Sequence, residues 1–492
     1  VTAPRHNRAP AIAAAIAASI ACTSGLLLAG CKLGPDYRRP DTSAPPHYRF
    51  ASDADAASLA DEGWWRVYED PRLQQLIREA LVNNLDVGIA AARVDQARAV
   101  LGATRLQQLP AASVAAEAER ARTSNFLLLP GLPPISNVFE LQGSLSYEVD
   151  FWGKYRRATE AARAQLLQSD FARQDVIAGL VAGVATAYFT LQSLDEQLDI
   201  TNRTIATRQK FVDLTSAQHD RGTVSELDVA TAVGQLAIAK ANLPELRRQI
   251  GLTEDQLSVL LGHNPAEVLR TPLEMLQPVA DSTPPTPVPV AGLPSSLLER
   301  RPDVREAEEN LVAANAQVGV AKANLFPTIT LTGAGGVAST ALSSLFTGPA
   351  RLWSFSGSAL QPLLDPQRSL YQLDLADAQK RQALLQYQKS VQTAFQEVSD
   401  ALIARAQYAE VQIQEQAWVT AQRTADDIAL ARYRVGYASY FNVIDSDRDL
   451  FSAELSLSAA RLNTQLSVVQ LYRALGGGWQ IEQTATANSP VH

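Results

Sequence analysis

Residues 138–151 read VFELQGSLSYEVDF; every odd position from Phe139 to Val149 is apolar, aromatic or glycine, and every even one from Glu140 to Asp150 is polar. A period of two is the signature of a strand whose faces meet different surroundings. It stands out because most of the chain reads as helix. Between Gln367 and Val435 there is no Gly or Pro, and Ala, Gln, Leu and Arg, all good helix formers, dominate. Within 154–218, Leu180, Val184, Tyr188, Leu191, Leu194 and Leu198 step by threes and fours and draw one apolar stripe. Helices of roughly 65 residues lie far beyond the globular norm and must coil against neighbours. At about 1.5 Å per residue each runs about 100 Å.

Three companions share the alternation. Leu109 to Arg120 carries Ala112, Val114, Ala116 and Ala118 on one face; Pro327 to Gly333 sets Ile329 and Leu331 against Thr328, Thr330 and Thr332; Trp353 to Ala359 alternates Trp353, Phe355, Gly357 and Ala359 with serines. Each is about as long as a tilted strand that crosses a bilayer. A sheet packed on a soluble core also alternates, but nothing else of β character lies nearby to supply that core. Aromatics also stand near strand ends: Phe139, Trp353 and Phe355 at one expected level, Phe151, Trp152 and Phe326 at the other, as membrane girdles require. On this reading the odd residues of the opening stretch face lipid, and the even ones line a wet pore. Four strands cannot close, and an open edge in lipid costs several kcal/mol per unmade hydrogen bond. The chain is therefore expected to oligomerise. A dimer's barrel of about eight strands fills with side chains, whereas a trimer's of about twelve leaves a lumen.

The N-terminus supplies a location. Arg5 and Arg8 precede an apolar run from Ala11 to Leu28, the layout of an export signal, although a run of this length also suits a membrane helix. Leu28-Ala29-Gly30-Cys31 resembles the lipobox of bacterial lipoproteins. That resemblance implies cleavage before Cys31, lipid on the new N-terminal cysteine and, with Lys32 and not Asp next, release to the outer membrane. Cys22 lies within the signal, so only Cys31 remains and no internal disulfide can form. The first 30 residues hold two arginines and no acids, so their removal takes the net charge from −8 to −10. That balance argues against nucleic acid as a partner. The five histidines are scattered, with no pair at metal-ligand spacing, no phosphate-binding Gly loop and no nucleophile elbow. No catalytic residue, metal or cofactor is expected.

The chain reads as one unit written twice. Asn84-Leu85-Asp86-Val87 with Leu109-Pro110 returns as Arg301-Pro302-Asp303-Val304 with Phe326-Pro327. RGTVSELDV (221–229) returns as VGYASYFNV (435–443), and Leu261-Gly262 as Leu475-Gly476. The expected divisions are a signal at 1–30, a lipid-anchored segment at 31–75, a first repeat at 76–277, a Pro-rich linker at 278–294, a second repeat at 295–476 and a tail at 477–492. Each repeat holds a helix, a hairpin (about 109–151 and about 326–364), a long helix and a return helix.

With the lipobox, GPDYRRP (34–40), the segment from LPSSLLERRPDV to NLFPTITLTGAGG, the turn DFWGKYRR and the closing LYRALGGGW, the chain resembles the TolC-type outer membrane factors. Within them it is similar to the lipoprotein branch that serves resistance-nodulation-division efflux pumps. The resemblance implies a trimer with a 12-stranded barrel and a long helical tunnel across the periplasm. It also implies passive conduction of drugs or other small molecules received from a periplasmic adaptor and an inner-membrane transporter. A type I protein-secretion duct and a lipid-anchored coiled-coil spacer without a channel are the alternatives.

Two sites follow. The turns Arg221-Gly222-Thr223-Val224-Ser225 and Val435-Gly436-Tyr437-Ala438-Ser439 resemble the tips that meet the adaptor, and their shared G-x-x-S spacing sets this reading beside the plainer one of simple turns. Asp213 and Asp427 each precede their tip glycine by the same interval. Repeated three times they form either an acidic periplasmic gate or a solvated outer face. Asp427 is placed there by the family resemblance, Asp213 by the repeat alone; Arg208, Arg432 and Arg434 are the candidate locking partners. The apolar loop FLLLPGLPP (126–134) is expected at the outer mouth, either as a plug or as a hydrophobic contact.

Overall fold

Along the chain, the longer elements run α1 (Pro71–Asn83), α2 (Leu85–Leu106), β1 (Ala111–Arg122), β2 (Ile135–Glu148), α3 (Lys154–Asp220), α4 (Glu226–Leu260), α5 (Pro302–Ala323), β3 (Thr328–Ser339), β4 (Arg351–Leu360), α6 (Pro366–Arg434) and α7 (Tyr440–Ala474). The computed structural model describes residues 32–41, 58, 61–68, 70–124, 126–127, 131, 133–268, 294–361 and 366–480. The expected signal, Cys31, most of the Pro-rich linker and most of the tail lie outside the described residues.

Local chemistry sets the helix ends. The Asp70 side chain accepts from the backbone N–H of Arg72 and Leu73 ahead of Pro71 at the start of α1. Asn84 Oδ1 does the same for Asp86 (2.9 Å) and Val87 (3.2 Å), opening α2. In the second copy Pro302 opens α5. Gly262 and Gly476, the repeated glycines after α4 and α7, have φ of 81° and 84°, the left-handed conformation that lets a helix end in backbone hydrogen bonds.

The strands form one four-stranded antiparallel sheet in the order β1-β2-β3-β4. Pairing is not confined to the hairpin within each repeat: β2 also pairs with β3 from Phe139↔Ser339 to Glu148↔Thr330, joining the two copies in a continuous ladder. The chain divides into two compact units. The first comprises 1–40, 94–169 and 307–387 and holds the sheet. In it the Arg157 guanidinium, 1% exposed, donates to the carbonyls of Leu33 (2.9 Å) and Gly34 (3.0 Å) and to Asp36 (2.9 Å), and so holds the GPDY segment. Gly34 has φ of 94° and lies so close that a Cβ would stand 2.5 Å from the Cα of Gly319; no other residue fits there. The second unit comprises 41–93, 170–306 and 388–492. Its core gathers Trp64, Leu76, Ile77, Val184, Tyr188, Leu191, Leu257 and Tyr472, so the apolar stripe read on α3 is the buried one. The Tyr188 hydroxyl donates to Asp70 Oδ2 at 2.6 Å, which satisfies the one polar atom that stripe carries inward.

Candidate channel faces and helix tips

The register decides what the sheet can do. Opposite Leu141 stand Ala116 on β1 and Val337 on β3; opposite Leu145 stand Ala112 and Gly333; Leu331 faces Gly357 and Gly333 faces Phe355. Alternation then puts Ala112, Val114, Ala116 and Ala118, the odd residues of β2, Ile329 to Val337 and Trp353 to Ala359 on a single face. The other face collects Ser113, Glu117, Gln142, Ser144, Ser146, Thr330, Thr332, Ser354, Ser356 and Ser358. Its polar character is direct: Ser113 Oγ and Ser144 Oγ lie 2.7 Å apart. The apolar face is bare, with Val114 78%, Trp353 83% and Phe355 73% exposed. Large exposed side chains in one patch mark a surface meant for an apolar medium.

The aromatic levels differ in part from the expectation. Phe151, Trp152 and Phe326 do gather at one end, Trp152 stacking on Phe326 at 4.6 Å and packing edge-on to Phe151 at 4.7 Å. Trp152 Nε1 donates to the Pro327 carbonyl at 2.9 Å. Phe139, however, is in line with Ser339, whereas Trp353 is in line with Gly335 and through it Gly143. Phe139 and Trp353 thus sit four residues apart along the ladder, because pairing register, which the sequence does not state, sets which residues lie side by side.

The two expected tips are tight helix reversals. Gly222 and Gly436 have φ of 72° and 80°. After the first, Thr223 N and Oγ1 both donate to the Gln218 carbonyl, and Ser225 and Asp228 form a reciprocal cap on α4. After the second, Tyr437 N donates to the Arg432 carbonyl and Ser439 Oγ to Asn442 Oδ1. The tips differ in what they expose: Leu227 on one, and Val435, Tyr437 and Phe441 on the other, all project into solvent. Arg221, Thr223 and Ser225 are exposed beside them, with Ala438 half-buried. The two helix pairs meet just above, where Phe211, Tyr433 and Tyr440 pack together and Tyr433 OH donates to Gln218 Oε1 at 3.0 Å.

Asp213 and Asp427 flank that same cluster, each beside residues that pack into it, Val212 for the first and Ala429 for the second. Both carboxylates are exposed. Asp213 accepts from Gln209 Nε2 at 3.0 Å, and among the described residues neither acid has a cationic partner in its own chain. Of the candidate partners, Arg432 and Arg434 are exposed, while Arg208 is committed elsewhere. Its guanidinium, 4% exposed, donates to Asp447 Oδ2 at 2.7 Å and to the Gln235 carbonyl at 2.9 Å, and lies over the Phe451 ring. Burial raises the Asp447 pKa against the pull of Arg208. Sequence reasoning missed this pair, and also the Ser225–Asp228 cap, whose S-x-x-D spacing was there to be read.

Residues 76–263 and 293–477 match the family model described as outer membrane efflux protein. The chain belongs to that family. This efflux protein is 37% identical over 477 residues to the toluene efflux pump outer membrane protein TtgC of Pseudomonas putida, covering 96% of this chain and 97% of that one. It is 32% identical over 459 residues to the cation efflux system protein CusC of Escherichia coli, covering 92% and 97%. Among solved structures, the outer-membrane channel OprN superposes with a TM-score of 0.83 at 30% identity, over 91% of this chain and 100% of that one. The open state of the Neisseria gonorrhoeae MtrE channel gives 0.79 at 28% identity, over 92% and 99%. The efflux protein thus has the TolC-like channel fold, resides in the outer membrane and acts there as an efflux duct, the outer component of a pump. The relatives are named as channels and pump components, not as enzymes.

Proposed function

We propose that three copies close their sheets into one barrel of about twelve strands, apolar face to lipid and polar face to a wet lumen. The observation that carries this is the segregation of the two faces across all four strands, set by register and not by any one residue. The duct is passive and takes its cargo from a periplasmic adaptor and an inner-membrane resistance-nodulation-division transporter. Its cargo is small apolar molecules of the kind named for the Pseudomonas relative. The tips Arg221, Gly222, Thr223 and Ser225 and Val435, Gly436, Tyr437, Ala438 and Ser439 meet the adaptor, which covers the exposed Leu227, Tyr437 and Phe441. Cys31 carries the lipid: the adjoining Lys32 pairs with Glu160 at 2.6 Å and Leu33 N donates to the Trp152 carbonyl, beside the aromatic cluster at the foot of the strands. The two repeats, 76–277 and 295–476, descend from one unit joined through 278–294.

Asp213 and Asp427 ring the periplasmic end of the bore in this reading. Like charges so placed favour cations and resist closure unless neighbouring copies supply arginine, with Arg432 and Arg434 available. Planar-bilayer recording tests the whole. The purified protein should conduct with cation preference, and Asp427→Ala should raise single-channel conductance and weaken that preference. Unchanged current would remove Asp427 from the pore, and absence of any current would remove the duct.

A further inference from the structure

Arginine appears on the apolar face of the sheet at one end only. Arg120 and Arg122 stand opposite Asn137 and Ile135, and so continue the face of Ala112 to Ala118; Arg351 stands opposite Val337, and so continues the face of Trp353 to Ala359. On both strands the switch from apolar to arginine comes at the hairpin-loop end, away from the ends that join α2 and α6. From Phe139 to Tyr147, at about 3.4 Å per residue and a tilt of about 40°, the apolar run of β2 rises about 21 Å, close to a barrel's apolar band. Arg120 and Arg122 therefore fall just past the outer rim of the hydrocarbon, at headgroup level. Arg351, in line through Val337 with Leu141, lies four residues back along the ladder; β4 is displaced the same way at its helix end, where Leu360 pairs with Thr328, so the tilt of the strands brings its loop end to the same rim. All three are exposed, and among the described residues none has a carboxylate partner. The acids nearest along these strands, Glu117, Glu119 and Glu140, alternate onto the water face. A guanidinium at the edge of a bilayer needs an anion, and this sheet turns its own anions away.

β1 and β4 are the two edges of the sheet, so in the trimer proposed above, on which this step rests, β4 of one copy lies beside β1 of the next. We propose that each such seam binds the phosphate groups of the phosphorylated glycolipid in the outer leaflet, with Arg120 and Arg122 from one copy and Arg351 from its neighbour. The planar fork of arginine donates paired hydrogen bonds to phosphate oxygens. Trp353, one step inward from Arg351 on the same face, gives the lipid an amphipathic ring at the interface, which a free phosphate has no use for. The seam thus ties lipid binding to subunit closure.

The experiment uses the full chain in detergent, with its oligomeric state read by native mass spectrometry. It is titrated with phosphorylated outer-leaflet glycolipid, with the same glycolipid stripped of phosphate, and with inorganic phosphate. The phosphorylated form should stay on the trimer, and Arg120→Gln/Arg122→Gln and Arg351→Gln should each weaken it by about tenfold or more while leaving a heat-modifiable trimer. The stripped form should bind wild type no better than the variants do. Equal binding by variants and wild type, or by stripped and phosphorylated glycolipid, overturns the seam; inorganic phosphate binding as tightly as the lipid overturns the lipid assignment. A chain found only as monomer overturns the assembly itself and the composite seam with it, whereas a trimer with unaltered binding overturns the seam alone.

Discussion

At the scale of single residues, the buried Arg208–Asp447 pair is the sharpest case. Taking both charges out of water costs several kcal/mol, so the pair adds little net stability, but removing one partner strands the other. Asp447→Ala should cost about 3 kcal/mol, the low end of such losses, because the Gln235 carbonyl and the Phe451 ring still hold the guanidinium. Arg208→Met with Asp447→Leu should recover most of it. Local opening, read as hydrogen exchange of amides 226–236 and 440–450, is the appropriate measurement; equal loss in the single and double variants would show that packing and not charge is responsible. The same spot responds to acid. Burial raises Asp447, and it raises Asp426 with repulsion from Asp447 and Asp427 added, against a hydrogen bond from Ser446. Both acids hold a proton more tightly folded than unfolded, so they weaken the native tip as pH rises through the raised values and stop doing so below the ordinary carboxylate range. Exchange at 440–450, corrected for intrinsic rate, should therefore slow as pH is lowered from neutrality toward the ordinary carboxylate range of about 4, and Asp426→Asn should flatten part of that response. No local pattern announces such a pair. The long-range contact exists only once α3, α4 and α7 are side by side, and in the sequence Arg208 reads only as a candidate partner of Asp213 and Asp427, not of Asp447.

At the scale of elements, the seam between the two repeats rests on β2 and β3. A Cβ built on Gly336 would stand 2.3 Å from the Leu141 carbonyl oxygen, within the backbone of the neighbouring strand, whereas one on Gly335 meets nothing within 4 Å. Gly336→Ala should therefore push the two hairpins apart, at about 1–3 kcal/mol in the assembled barrel, and lower the amount of heat-modifiable oligomer; Gly335→Ala should leave it unchanged. A similar loss in both would point to backbone entropy instead of the clash. The hairpins themselves were legible, because side-chain direction in a strand follows a period of two and VFELQGSLSYEVDF obeys it. So were the long helices, from the absence of Gly and Pro and the stripe ending at Leu198. The β2–β3 pairing and the step between Phe139 and Trp353 were not, since register between distant segments depends on the partner strand as much as on the one being read. The tip glycines were legible for the opposite reason: a helix that reverses within a few residues requires a positive φ, and sequence alone marks where that is cheap. Asp213 was legible only as a repeat-related acid and Asp427 through the family resemblance as well; among the described residues neither has a cationic partner in its own chain.

At the scale of the whole molecule, what matters is the pair of edges a single chain leaves open. The sheet ends at β1 on one side and β4 on the other, and in hydrocarbon each unpaired N–H or C=O on those edges costs several kcal/mol. The second unit has no such debt: its core around Trp64, Tyr188 and Tyr472 is completed by side chains of the same chain. Strand order and helix order should thus be lost at different points on heating. In detergent, the β component of the amide I band should disappear at the temperature at which the oligomer falls to monomer on a gel, while part of the helical signal survives beyond it. Dilution of the protein should bring the β loss to lower temperature and leave the residual helix loss where it was, since only the first is coupled to association. A monomer that keeps its β signal would mean that one sheet can satisfy its own edges. The argument from open edges to a shared barrel would then fail, even though the faces of the sheet remained as segregated as the register makes them.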